Sequence, residues 1–145
     1  MASRPSAAAL APAVLRRLEK AARAAAKSAY APYSKYRVGA AVLGASGRIF
    51  AGGNVENASY GLSNCAERTA IFTAVAAGER ELRAVVVYTP TAKPTAPCGA
   101  CRQVIGEFGP QARVVSVCDA AGRLDALLSE LLPHAFGPAD LRPGR

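Results

Sequence analysis

Cysteine spacing is the feature that most constrains this chain. Cys98 and Cys101 form a Cys-x2-Cys clip, and Cys65 supplies a third thiol from a separate segment. Three such thiols can converge on one zinc ion, which keeps a fourth position open for water when the site is catalytic. Glu67 is too close to Cys65 to be a comfortable extra ligand, but it can reach that water. The spacing therefore predicts a metal-activated water with a general acid–base carboxylate beside it.

Length and composition favour one globular domain in a reducing compartment. The 145 residues are 51% hydrophobic, enough to form one core, and no apolar run approaches the roughly 20 residues that span a bilayer. Residues 1–12 are Ala-rich but weakly apolar, which indicates a flexible tail and not a secretory leader. A zinc site built from thiolates requires reduced cysteines, so we expect a cytoplasmic protein without a membrane partner.

The formal net charge of +8 suggests a nucleic-acid partner as one interpretation. Many basic residues, however, share one face of a helix predicted over 13–29, and apolar residues occupy its other face. No aromatic residues interleave with these charges, as a groove for single strands would require. We therefore interpret the charges as a solvated helix face and expect no nucleic-acid partner.

Hydrophobic periodicity predicts alternating strands and helices along the rest of the chain. Strands are expected over 37–43, 48–55, 82–88 and 114–118, and helices over 65–77, 98–108 and, after a turn at Gly122, 124–132. The first two strands should form a hairpin through the Gly-flanked residues 44–47. This order of elements argues for a mixed sheet with helices on both faces.

The predicted thiols fall at the beginnings of two helices. Ser63 or Asn64 can cap the helix over 65–77, which places Cys65 in its first turn. The clip occupies the first turn of the helix over 98–108. Exposed backbone N–H groups at such ends favour thiolate over thiol, and ligands of α/β sheets bind at the carboxyl ends of strands. We therefore expect the metal site at this edge of the sheet.

Five segments of the chain resemble those of the homotetrameric cytidine deaminases. They are Y-S-K-Y-R-V-G-A-A from Tyr33, N-V-E-N-A-S-Y from Asn54, C-A-E-R-T-A from Cys65, P-C-G-A-C-R-Q-V from Pro97 and L-L-P-H-A-F-G-P from Leu131. The C-x-E…P-C-x-x-C pattern is itself a signature of zinc deaminases. Cysteine at the first ligand position, where related enzymes acting on polynucleotides usually have His, is similar to the branch that acts on free nucleosides.

The resemblance implies a single deaminase domain over 13–141, with residues 142–145 as a C-terminal tail. Its fold would be α/β, a three-layer α/β/α sandwich with a mixed five-stranded sheet of the cytidine deaminase type. The fifth strand of that sheet should lie near Gly122, where the residues alone indicate only a turn.

The resemblance also implies a reaction and the roles of individual residues in it. The expected reaction is hydrolytic deamination of cytidine and deoxycytidine to uridine and deoxyuridine, with release of ammonia, as in pyrimidine salvage. One zinc ion per subunit would be held by Cys65, Cys98 and Cys101, with Glu67 carrying protons to the pyrimidine ring and the leaving amine. Substrate contacts are expected from Asn54, Glu56, Tyr36, Ala66 and Phe136, and sulfur contacts from Arg68 and Arg102.

Three further expectations concern contacts between subunits and one departure from the family's usual residues. Phe136 would reach the base from a neighbouring subunit and Tyr60 would lie at a subunit contact, so the active sites would be shared across a homotetramer. Tyr36 stands where similar enzymes commonly have Phe, and it adds one hydroxyl to the site.

Alternatives remain open at this point. Cys118 could close a four-cysteine zinc module without catalytic function, although a small buried hydrophobe is the simpler interpretation. His134, the only histidine, lies in a Pro-flanked tail and is expected to be solvated. A deaminase of polynucleotides or of a modified cytosine nucleoside would also carry the thiol pattern.

Overall fold

Five strands and four α-helices make up the part of the chain that the computed structural model describes, residues 9–144. The helices are α1 (Pro12–Lys27), α2 (Ala66–Ala76), α3 (Gly99–Phe108) and α4 (Leu128–Leu131). The strands are β1 (Gly39–Gly44), β2 (Ile49–Gly53), β3 (Leu82–Tyr88), β4 (Arg113–Val117) and β5 (Arg123–Leu127). Short 3-10 turns cover Tyr60–Leu62 and Pro138–Leu141.

The strands form one mixed sheet in the order β2-β1-β3-β4-β5. Neighbouring strands pair in an antiparallel manner except β3 and β4, which are parallel. A parallel pair requires a crossover connection, and α3 supplies it between these two strands. The predicted mixed five-stranded sheet is therefore confirmed, with β3 at its centre.

Helices cover both faces of the sheet, so the predicted three-layer α/β/α architecture is confirmed. On one face, Leu18 and Ala22 of α1 pack with residues of β1, β3 and β4. On the other face, Ile71 of α2 and Ile105 of α3 belong to a second apolar cluster. Gly39 of β1 allows α1 to approach closely, because a Cβ atom there would lie 1.9 Å from the Ala22 carbonyl oxygen.

The end of the domain differs from the periodicity-based prediction. A helix was expected over 124–132, but residues Arg123–Leu127 form β5 and only Leu128–Leu131 are helical. The strand pairs with β4, and Arg113 of that strand donates from Nε to Asp125 Oδ1 at 2.8 Å. Pairing with a neighbouring strand therefore overrides the local helical spacing. The fifth strand near Gly122, expected from the family resemblance, is confirmed.

Two further expectations on element ends need correction. Cys65 is itself the N-cap residue of α2, and neither Ser63 nor Asn64 caps the helix. The Ser63 hydroxyl accepts instead from the Asn57 N–H at 3.1 Å, and the Asn64 side chain donates to Thr69 Oγ1 at 3.3 Å.

The expected tail over 1–12 lies mostly outside the described residues. Leu10, however, is buried against the α1 face of the sheet, and α1 begins at Pro12. The packed part of the chain therefore begins earlier than residue 13. Among the described residues, no helix combines the length and apolar character needed to cross a membrane.

Candidate active site

Three thiols meet where α2 and α3 begin. Cys65 and Cys98 are the N-cap residues of the two helices, and Cys101 lies in the first turn of α3. Their Sγ atoms lie within 4.8 Å of one another, and those of Cys65 and Cys98 are 3.9 Å apart. Two sulfurs bound tetrahedrally to zinc at about 2.3 Å would be separated by about 3.8 Å. The donor set therefore fits one zinc ion with three thiolate ligands.

Cys118 does not belong to this cluster. Its buried thiol donates to the carbonyl oxygens of Ala120 and Gly122, at 3.5 and 3.4 Å. The closed four-cysteine zinc module is therefore wrong, and Cys118 is a small buried side chain as the simpler interpretation held. His134 is exposed, also as expected. Within residues 9–144, three protein ligands leave a fourth coordination position for another molecule.

Hydrogen bonds favour a thiolate at the cluster. The pKa of Cys65 is lowered to about 5, mainly because the Cys101 thiol donates a hydrogen bond to it. The guanidinium of Arg68 adds to this effect, because its NH2 group donates to Cys65 Sγ at 3.1 Å. The hydrogen bond to Cys65 raises the pKa of Cys101, and burial raises it further. Arg68 Nε is also buried and has no hydrogen-bond partner among the described residues.

Glu67 lies beside the thiols in the first turn of α2. Only 5% of the residue is exposed, and this burial raises the pKa of its carboxyl group. The negative charge of Cys65 contributes in the same direction. A raised pKa brings the carboxyl group closer to the range in which it can both accept and release a proton, as a general acid–base group must.

A cavity of about 290 Å³ opens above Glu67 and the thiols. Val87 near the end of β3 and Thr89 just after it contribute to the lining of the cavity. Thr95 and Ala96, from the loop before α3, also line it. The predicted site residues that line it are Tyr36, Asn54, Glu56, Cys65, Ala66, Glu67 and Cys98. One cavity thus has a metal-binding end at Cys65 and Cys98 and a polar end at Asn54 and Glu56, the N-x-E motif.

The polar end is held in place by its own hydrogen bonds. Asn54 Oδ1 accepts from the Val38 N–H at 2.8 Å, and its amide donates to the Tyr36 carbonyl at 2.9 Å. Glu56 Oε1 accepts from the backbone N–H groups of Tyr33 and Ser34, at 3.0 and 3.1 Å. Hydrogen bonds from Ser34 are the main cause of the lowered pKa of Glu56. Glu56 therefore presents a carboxylate to the cavity.

Four predicted site residues do not line the cavity: Cys101 and Arg68, which belong to the thiol cluster, and Phe136 and Arg102. Phe136 is 59% exposed, and its carbonyl accepts from Gln103 Nε2 at 2.9 Å. Arg102 donates to the carbonyl oxygens of Pro97 and Leu131, each at 2.8 Å, and to no sulfur in the described chain. The expected contact between Arg102 and a sulfur is therefore wrong. The guanidinium instead joins the start of α3 to α4 through these two backbone carbonyls.

The sequence interpretation missed Thr89 and Thr95 as lining residues. Both belong to the Pro- and Thr-rich loop that leads to Cys98, and loop composition alone carries no signal for which side chains face a cavity. Thr89 follows a predicted strand directly, so its position at the carboxyl end of that strand was the available clue.

Comparisons with known proteins agree with this geometry. Residues 13–118 match the family model described as the cytidine and deoxycytidylate deaminase zinc-binding region. A cytidine deaminase of Halalkalibacterium halodurans is 47% identical over 125 residues, which cover 86% of this chain and 95% of that protein.

Solved structures give the same result. The crystal structure of cytidine deaminase from Burkholderia pseudomallei is 51% identical with a TM-score of 0.80, covering 83% of this chain and 98% of that one. The enzyme from Mycobacterium tuberculosis is 39% identical with a TM-score of 0.73, covering 85% and 97%. The chain therefore belongs to the cytidine and deoxycytidylate deaminase family, and its three-thiol cluster fits the zinc binding that the family model describes.

Proposed function

We propose that the protein hydrolyses cytidine and deoxycytidine to uridine and deoxyuridine with release of ammonia. The observation that carries the proposal is the buried Glu67 beside three convergent thiols at one end of a cavity whose other end holds Asn54 and Glu56. Cytidine deaminase relatives with high coverage of both chains support the same activity. Zinc bound to the thiols would supply Lewis-acid activation of the attacking water.

Glu67 is proposed to move the protons of the reaction. Its raised pKa suits a group that accepts a proton from water and delivers it to the ring nitrogen next to the amine-bearing carbon. The same carboxyl group would then take the remaining proton of the attacking water and deliver it to the departing amine. Burial keeps bulk water away from the carboxyl group, so that its proton goes to the substrate.

Asn54 and Glu56 are proposed to bind the sugar hydroxyl groups. The Glu56 carboxylate accepts backbone hydrogen bonds through Oε1, and it lines the cavity as an ionised acceptor for hydroxyl donors. An ionised acceptor suits an uncharged nucleoside, and it disfavours a substrate that brings a phosphate close to it. Tyr36 and Ala66 would contact the remaining surface of the nucleoside.

A spectrophotometric assay with cytidine, deoxycytidine and dCMP, run together with zinc quantitation, tests the proposal. We expect turnover of both nucleosides, little turnover of dCMP, and one zinc ion per chain. Glu67→Gln should retain zinc and lose at least about 100-fold in kcat, the usual contribution of general acid–base catalysis. Glu81→Gln, at an exposed position outside the cavity, is the matched control. An undiminished kcat for Glu67→Gln would refute the assigned role.

A homotetramer with shared active sites is the proposed assembly. Several large apolar side chains are exposed on the described chain, and burying them against other subunits would remove apolar surface from water. They include Tyr60, Leu62, Phe72 and Phe136. Phe136 does not reach the cavity of its own chain, so we propose that it completes the cavity of a neighbour. Phe136→Ala should then reduce turnover while light scattering still detects a tetramer, and an active monomer would contradict the assembly.

The proposed reaction would give the protein a role in pyrimidine salvage, and we propose that it acts in the cytoplasm. Zinc-binding thiolates must stay reduced, which suits the cytoplasm. All four cysteines are free thiols in the structure. Fractionation of cells producing the protein, with enzymatic activity followed in each fraction, tests the compartment.

A further inference from the structure

Two separate segments that line the cavity meet through their side chains. Tyr36 precedes β1, whereas Thr95 belongs to the loop between β3 and α3. Both residues line the cavity, and the Tyr36 hydroxyl lies 3.3 Å from Thr95 Oγ1. This hydroxyl pair therefore joins the segment beside the N-x-E motif to the segment that leads to Cys98.

Tyr36 is the firmly placed member of the pair. Its backbone N–H donates to Ser34 Oγ at 3.0 Å, and its carbonyl accepts from the Asn54 amide at 2.9 Å. Asn54 in turn accepts from the Val38 N–H just before β1. The phenol is thus presented from a backbone that is anchored to the sheet.

Thr95 belongs to the weakly held part of its loop. Backbone hydrogen bonds tie the beginning of the loop to the sheet, with Thr89 N–H donating to Val117 and Thr91 accepting from Asp119. In the described chain, the hydrogen bonds of residues 94–96 are those of the Thr95 hydroxyl. Besides Tyr36 at 3.3 Å, its partner is Thr89 Oγ1 at 3.5 Å, so the phenol is the nearer of its two partners.

We propose that the Tyr36 hydroxyl is a positioning group that holds Thr95, and with it residues 94–96, against the substrate cavity. This role rests on the proposed deaminase function. A phenylalanine ring at this position could pack against a substrate but could not hold the loop. The hydrogen bond acts on the shape of the cavity and not on Glu67, so its loss should weaken substrate binding and leave the chemical step unchanged.

Steady-state kinetics of the zinc-loaded enzyme test the proposal through Tyr36→Phe, Thr95→Val and the double variant. We expect each single change to raise the KM for cytidine by about two- to tenfold, the range for one net hydrogen bond, with kcat unchanged. The double variant should be no worse than the more affected single variant, because both remove the same bond. Tyr30→Phe removes an exposed phenol outside the cavity and should match the wild type.

Three kinetic results would overturn the proposal. They are a wild-type KM for Tyr36→Phe, single effects that add fully in the double variant, and a fall in kcat larger than the rise in KM. Zinc content is measured for every variant, and loss of zinc in Tyr36→Phe would place the effect at the metal centre and also overturn the proposal.

NMR relaxation separates this inference from the proposed function, because it needs no turnover. The order parameters of the Thr95 and Ala96 amides should be lower in Tyr36→Phe than in the wild type and unchanged in Tyr30→Phe. Equal order parameters in all three proteins would overturn the positioning role. A wild-type protein that does not deaminate cytidine would refute the proposed function, while the relaxation comparison would still decide whether Tyr36 holds the loop.

Discussion

Replacing Arg68 with Gln removes the one charged group that, among residues 9–144, hydrogen-bonds a thiol of the cluster. The Arg68 guanidinium donates to Cys65 Sγ at 3.1 Å, and it helps to lower the pKa of that thiol. Glutamine is neutral and shorter, so the variant loses both the donor and the charge. A charge-assisted hydrogen bond contributes about 1.5–3 kcal/mol, and loss of a residue that supports a metal ligand typically weakens metal binding by about 10- to 100-fold.

These two ranges agree, because a factor of ten in affinity corresponds to about 1.4 kcal/mol. We therefore expect the zinc dissociation constant of Arg68→Gln to rise by about 10- to 100-fold. Competition with a chelating zinc indicator measures it on the intact chain. Arg83→Gln removes the same charge from an exposed position on β3 and serves as the control.

The reasoning fails if Arg68→Gln binds zinc as tightly as the wild type, or if Arg83→Gln loses as much affinity. The first result would show that the hydrogen bond to Cys65 does not stabilise the thiolate. The second would show that net charge, and not the contact with sulfur, controls zinc affinity. Circular dichroism of the zinc-loaded variants checks that each retains its fold.

Three further outcomes follow from the packing and the charges. Gly39→Ala places a Cβ atom 1.9 Å from a carbonyl of α1, so it should destabilise the protein by at least about 1–3 kcal/mol in urea unfolding. Asp125→Asn should cost about 0.5–1 kcal/mol at pH 7, because Arg113 lowers the pKa of Asp125. That difference is present above the ordinary pKa of the carboxyl group and disappears as the pH falls through its lowered pKa, which unfolding curves at successive pH values measure. Cys118→Ser should keep one zinc ion per chain in metal analysis, and loss of the zinc would contradict the three-thiol site.

Local patterns predicted most of the elements that carry the site. The strand over 82–88 and the helix starts near Cys65 and Cys98 depend on residues close by in sequence, because strand patterning and helix initiation are short-range properties. Ser63 and Asn64 show the limit of this reasoning. Both are good N-cap residues, but their side chains are engaged by Asn57 and Thr69, and Cys65 takes the cap position.

Periodicity alone missed the strand β5, which only the family resemblance predicted, because the interaction that decides it is not local. Leu124, Leu127, Leu128 and Leu131 recur with helical spacing, and nothing between them forbids a helix. The open edge of β4 is the competing partner, and Arg113 reaches Asp125 only when the two strands are paired. Isolated short helices are marginal in water, so the edge pairing wins. A sequence pattern records the helical preference but not the neighbouring edge.

The same distinction separates the thiols from the residues that position them. The sequence alone identifies Cys65, Glu67 and the Cys98–Cys101 clip, because zinc requires particular ligand types at particular spacings. Arg102 lies next to Cys101 in sequence, yet it donates to the Pro97 and Leu131 carbonyls, because the end of α4 lies within reach of its side chain. Thr95 belongs to no recognisable motif, and its contact with the Tyr36 hydroxyl depends on the fold that brings the two segments together. The ligands are therefore predictable because zinc chemistry is the same in every fold, whereas of the two arginines near them in sequence only Arg68 bonds to a sulfur in the described chain.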